Sequence, residues 1–184
     1  MTIYPTNMSL VEENTFIMGK CPGFDRFLST CFEDRPEQTA RLMALIRKTL
    51  TGQGSGLALA VFRGHGGRNG KTTCLKILQS AFADNLGGQA PRICLDERFS
   101  QWTDQVLVLG PSQPRSDKLS GLVILAINEE PPAELINDPI WHQVEIFEWT
   151  RRFVTHPRAA NEKKAIPTLQ ANLVAETPAV NFTY

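Results

Sequence analysis

The chain has 184 residues, 42% hydrophobic and 21% charged, enough for one soluble domain with a proper core. Lysine plus arginine and aspartate plus glutamate number 19 each, so the net charge is zero and any nucleic-acid binding must rest on a local basic patch. Four widely spaced cysteines (Cys21, Cys31, Cys74, Cys94) form no CxxC pair, which argues against a zinc site and fits free thiols in a reducing compartment.

Residues 1–21 carry little signal and are expected to be an N-terminal segment. They lack the basic start and apolar core of a signal peptide, and no run in the chain is long and apolar enough to span a membrane. The expected location is intracellular, in the cytoplasm or at a replication site, with no membrane partner. Pro22-Gly23 reads as a turn, after which Phe24, Phe27 and Leu28 form one short helical face. Pro36 to Leu50 reads as a helix. Pro36 suits its first turn, Leu42, Leu45, Ile46, Thr49 and Leu50 recur at helical spacing, and Arg47 and Lys48 suit its carboxyl end.

Leu57 to Phe62 is an apolar run typical of a strand buried on both faces. Gly64, Gly66 and Gly67 follow, then Asn69-Gly70-Lys71-Thr72-Thr73, then a helical pattern with Cys74, Leu75, Ile77 and Leu78 as its apolar positions. Strand, glycine-rich loop and helix in that order give a GK[ST] tripeptide the context of a phosphate-binding loop. Glycines let backbone N–H groups converge on phosphate oxygens, and the helix N-terminus adds a partial positive charge. The expected contacts are His65, Gly66, Gly67, Arg68, Asn69, Gly70, Lys71, Thr72 and Thr73. Lys71 would reach the β/γ-phosphates from an open loop, and the Thr72 hydroxyl would ligate Mg²⁺. His65 stands where the usual pattern has glycine, and a loop histidine facing solvent is its simpler reading.

Leu86-Gly87-Gly88 breaks the pattern. Short apolar runs then cover Arg92 to Leu95, followed by Asp96-Glu97, and Val106 to Leu109, closed by Gly110-Pro111. Ser112 to Lys118 is polar and turn-rich, Leu119 to Ile127 is a third apolar run ending at Asn128, and Ile140 to Phe147 reads as a further strand. From Pro157 the chain turns polar, and its last ten residues look loosely ordered. Strands alternating with helices predict an α/β fold around a mainly parallel central sheet.

The flanks add a family resemblance. LMALIRKTLTG before the strand, NGKTT in the loop, VILAINEEPPAELINDPIW and IFEWTRRFV follow one another in an order that resembles the superfamily 3 helicases. The branch in view is that of poxvirus-type primase–helicases and related phage and plasmid primase C-terminal domains. The resemblance covers roughly residues 22–173, leaving 174–184 as a tail. It implies a three-layer, AAA-like P-loop NTPase with ATP and Mg²⁺ as cofactors. It further implies a homo-oligomer, a hexameric ring in the family, that couples ATP hydrolysis to translocation on DNA, single-stranded DNA being the expected form. Asn128, before Pro131-Pro132, matches the polar residue that senses the γ-phosphate.

Departures from the family pattern stand out. The strand that should end in two acidic residues is, by order, Val106 to Leu109, which ends in Gly110-Pro111-Ser112. Asp96, for the metal, and Glu97, for the attacking water, are the candidate replacements, with a surface turn as the alternative; Glu129-Glu130 is a weaker one. His142-Gln143 stands where an arginine pair is common, and Arg151-Arg152 is otherwise a solvated basic pair. The chain is expected to be a reduced motor module. A non-catalytic nucleotide-binding or interaction module descended from such a motor is the alternative function. Trp141, Trp149 and Phe153 read as core rather than as a base-stacking platform.

Overall fold

The structure, a computed structural model, describes residues 22–50, 57–81, 105–109, 121–130, 137 and 144–176. Helix α1 (Pro22–Cys31) starts on Pro22 itself. The Pro22-Gly23 pair expected as a turn is therefore the first helical turn, where proline's fixed φ and missing N–H do no harm. Helix α2 (Pro36–Leu50) follows after the four residues 32–35 and buries Leu42, Met43, Leu45 and Ile46. Thr49, also buried, satisfies its hydroxyl by donating to the Leu45 carbonyl at 3.0 Å.

Strand β1 (Leu57–Arg63) leads through residues 64–70 into α3 (Lys71–Ala81). Strands β2 (Gln105–Leu109), β3 (Gly121–Ile127) and β4 (Val144–Glu148) complete a sheet of order β2-β3-β1-β4. β1 is parallel to both neighbours, with Phe62 opposite Ala126 on one side and Phe147 on the other. The described fold is thus α/β with a parallel sheet at its centre. The alternation of β1 and β3 splits the core. Ala60, Phe62, Leu122, Ile124, Ala126 and Phe147 face a cluster to which every described helix contributes. Val61, Val123, Leu125 and Ile127 are buried on the opposite face. No described helix lies on that face.

Within the expected mainly parallel sheet, β2 is the antiparallel strand. It runs antiparallel to β3, with Gln105 opposite Ala126 and Leu109 opposite Leu122. The carboxyl end of β2 therefore lies at the opposite end of the sheet from the loop that follows β1. The apolar run Val106 to Leu109 reads the same in both directions, but the linker does not. Residues 110–120 are fewer than the dozen or more that a parallel crossover requires.

Beyond β4, a region that looked merely polar is organised. Strand β5 (Arg152–Val154) pairs in parallel with β6 (Glu162–Lys164), and α4 (Leu169–Glu176) packs against α1 and α3 through buried Leu173. Gly23 permits that approach: a Cβ there would lie 2.8 Å from Leu173 Cδ2. Ala175 and Glu176, counted among the loosely ordered last residues, belong to α4. Among the described residues, no helix is long and apolar enough to cross a membrane.

Candidate functional site

The loop of residues 64–70 leaves β1 at the carboxyl edge of its parallel strands, where α/β sheets place their ligand crevices. Its backbone bends through left-handed conformations at Gly66 (φ 74°), Gly67 (φ 66°), Arg68 (φ 54°) and Gly70 (φ 94°). Arg68 is the one non-glycine among them, and its carbonyl is fixed by the Phe153 N–H at 2.7 Å. Gly70 brings the loop down onto the core, since a Cβ there would meet Cys31 Sγ and Phe27 Cζ at 3.2 Å.

Lys71 is the first residue of α3 and is only 5% exposed. Its ammonium donates to the Gly64 carbonyl, the Ile127 carbonyl and Asn128 Oδ1, each at 2.7 Å. These three acceptors match the three N–H groups of an ammonium. The lysine therefore ties the end of β1 to the end of β3. This corrects the expectation that it faces an open loop. Asn128 is brought to it by the β1–β3 register, in which Arg63 stands opposite Ile127.

A cleft of about 280 Å³ opens over the loop, lined by residues Gly67 to Thr73 together with Ala126 and Asn128. His65 and Gly66 are exposed and are not part of that lining, whereas Thr72 is exposed and is part of it. Arg68 and Lys71 supply positive charge. No carboxylate is among the described lining residues, and the first turn of α3 holds no acid. The first N–H groups of α3 have no intrahelical acceptor. Asn69 is 4% exposed, and its Nδ2 has no hydrogen-bond partner. The cleft is thus a donor-lined, cationic concavity suited to an anion.

The other candidates separate clearly. Asp96 and Glu97 lie outside the described residues, as do Trp141 and His142. Glu130 accepts from Arg63 Nη1 at 2.8 and 2.7 Å, Arg63 also pairs with Glu148, and Glu129 is exposed; neither glutamate lines the cleft. Among the described residues, no three His, Cys, Asp or Glu side chains are grouped to hold a metal. Cys31 and Cys74 are free and buried, and burial raises both thiols well above the usual cysteine range. Trp149 is core, with ring centroids 4.8 Å from Phe32 and 5.0 Å from Phe62.

The motif around Arg151 acts as a buttress for the loop. After β4 the chain donates from Trp149 N–H to the Arg63 carbonyl at 2.7 Å, then from Phe153 N–H to Arg68. Arg151 is not a solvated cation. Its side chain is 13% exposed, bonds the Ala160 carbonyl at 3.0 Å, and lies 3.2 Å from Glu33 and 3.7 Å from Asp34. Lys163 joins Glu33 at 2.6 Å. Sequence reasoning missed this clamp, whose partners lie more than a hundred residues apart; Arg152, by contrast, is exposed.

This clamp has a pH signature. The hydrogen bond from Lys163 holds the Glu33 carboxyl below the usual glutamate range, with help from the charges of Lys163 and Arg151. A depressed folded pKa means that the contribution is present above the unfolded value of about 4.3 and is lost as pH falls through the folded one. Side-chain NMR titration should find Glu33 below that value, and Lys163→Met should return it upward. An ordinary Glu33 in the native chain would show that the clamp is not formed in solution. No family model matches the chain, and neither a curated protein nor a solved structure is significantly similar to it.

Proposed function

We propose that the chain is a nucleoside-triphosphate-binding module of superfamily 3 helicase type, a three-layer AAA-like ATPase that assembles as a ring on DNA. The observation that carries the nucleotide reading is the placement of Lys71. It opens the helix that follows a loop with four left-handed backbone positions, and it meets Asn128 from the adjacent strand. In this reading the backbone N–H groups of residues 67–73 hold the phosphates. The unpartnered Asn69 amide and the Arg68 guanidinium add donors, and the Thr72 hydroxyl would help to hold a metal that accompanies the phosphates. Mg²⁺ would supply charge neutralisation of the transferred phosphoryl group. The DNA partner, the ring and translocation follow from the ordered motifs alone.

A second reading, a nucleotide-binding module without turnover, is favoured by one observation. The carboxyl end of β2 faces away from the loop, and no described carboxylate lines the cleft. Single-turnover hydrolysis of ATP–Mg²⁺, with and without single-stranded DNA, separates the two. For the motor, hydrolysis is expected to be stimulated by DNA, to be lost in Glu97→Gln with ATP still bound, and to coincide with nucleotide-dependent self-association in light scattering. Tight ATP binding with no turnover and a monomer at every concentration would leave the second reading.

A further inference from the structure

A second cleft adjoins the first. Its volume is about 430 Å³, and it shares Arg68, Gly70 and Thr73 with the cleft over the loop. We propose that it is the nucleoside subsite of the same ligand: the base and ribose lie between β5 and residues 165–170 while the phosphates lie over the loop. The proposal rests on the triphosphate reading above and adds where the rest of the nucleotide goes.

Size and chemistry both fit. Small-molecule sites span about 300–1,000 Å³ and combine apolar walls with a few polar groups. Phe27 and Phe153 form an aromatic floor, their centroids 6.4 Å apart and their planes at 27°. Ile166, which lines the same cleft beside Pro167, is the one large hydrophobic side chain exposed among the described residues, at 57%. An apolar side chain left in water on the wall of a cleft is stabilised when a flat ring covers it. Thr155 and Gln170 each offer a donor and an acceptor to the edge of a base. No described lining residue is acidic, so nothing there opposes the charge of a bound triphosphate.

Connectivity makes the two clefts one site. Thr73, two residues after Lys71, lies on the seam between them. The Phe153 N–H···O=C Arg68 bond joins the floor of the second cleft to the left-handed turn of the loop. A ligand spanning both clefts would hold the loop and the β5–β6 ribbon in one arrangement. This also gives the Arg151–Glu33–Lys163 clamp a purpose, since it fixes the ribbon that walls the subsite.

The test compares ATP–Mg²⁺ with inorganic tripolyphosphate–Mg²⁺ by calorimetry on the full chain. Base burial is expected to make ATP bind roughly tenfold to hundredfold tighter. Ile166→Trp fills the cleft without adding charge, and it should remove most of that advantage while leaving tripolyphosphate affinity within about twofold of native. Ile166→Ala, which only shortens an exposed side chain, should give a smaller loss in the same direction and guards against a misfolded tryptophan variant. Equal affinities for the two ligands in the native chain would overturn the subsite and leave the phosphate site standing. Loss of both ligands alike in Ile166→Trp and Ile166→Ala, or of neither, would also overturn it. Absence of binding by both ligands in the native chain would remove the phosphate reading and the subsite with it.

Discussion

Lys71→Ala is expected to weaken ATP binding roughly tenfold to hundredfold and to lower stability at the same time. The affinity term assumes that on binding the ammonium exchanges one of its three protein acceptors for a phosphate oxygen, a charge-assisted contact worth about 1.5–3 kcal/mol. The stability term follows from the inward pose of the side chain. Truncation of this residue, itself 5% exposed, leaves the Gly64 carbonyl and Asn128 Oδ1 without its ammonium, whereas the Ile127 carbonyl keeps the Gly64 N–H at 3.2 Å. An acceptor buried without a partner costs about 1–3 kcal/mol, and relief of the buried charge offsets part of the sum. A net loss of about 1–3 kcal/mol corresponds to a melting temperature lowered by about 2–10 °C in a domain of this size. Calorimetric titration and thermal melts read the two effects separately. Unchanged ATP affinity would sink the phosphate assignment, and an unchanged melting temperature would show that the three bonds contribute nothing net.

Gly64→Ala should damage the fold more than alanine at any other glycine of the loop. A Cβ at this position would lie 2.4 Å from Asn69 Nδ2, 2.6 Å from the Trp149 carbonyl oxygen and 3.0 Å from Trp149 Cβ. Asn69 has a side chain that can swing, but Trp149 presents backbone. Its indole is 1% exposed and packed against Phe27, Phe32 and Phe62, so the segment has no room to withdraw. Overpacking of this kind costs about 1–3 kcal/mol, and the upper end is expected here. The nearby Gly66→Ala is the control. Nothing lies within 4 Å of its Cβ, and only the left-handed φ of 74° opposes it, at about 1–2 kcal/mol. Urea unfolding of the two variants gives the comparison. Equal midpoints would mean that the loop and the 149–153 segment are not in contact as described.

Much of this architecture was legible in the chain. The apolar run at Leu57 to Phe62 and the periodic positions of Pro36 to Leu50 appear as β1 and α2 because strand and helix periods are local properties. The NGKTT stretch begins α3 at Lys71 for the same reason: glycines end a strand and free the start of a helix. The direction of β2 was partly legible as well. The linker to β3 is too short for a crossover, a constraint that outranks the analogy of strand order. The parallel β5–β6 pair was not, since a three-residue strand such as Glu162–Lys164 carries no period to read.

What the sequence alone determined is the local grammar: which segments are strand or helix, where the chain bends, and that a lysine and two threonines open the helix after the glycines. Only the tertiary structure decided what those residues face. It buried Lys71 between two strand ends, because acceptors contributed by residues 64, 127 and 128 converge only once β1 and β3 are in register. It made Arg151 part of a clamp with Glu33 and Lys163. It set a second cleft beside the loop by folding residues 153–170 back over α1 and α3. Direction, register and ion pairing across a hundred residues depend on contacts that no local window of sequence contains, and these are the features that shape the candidate site.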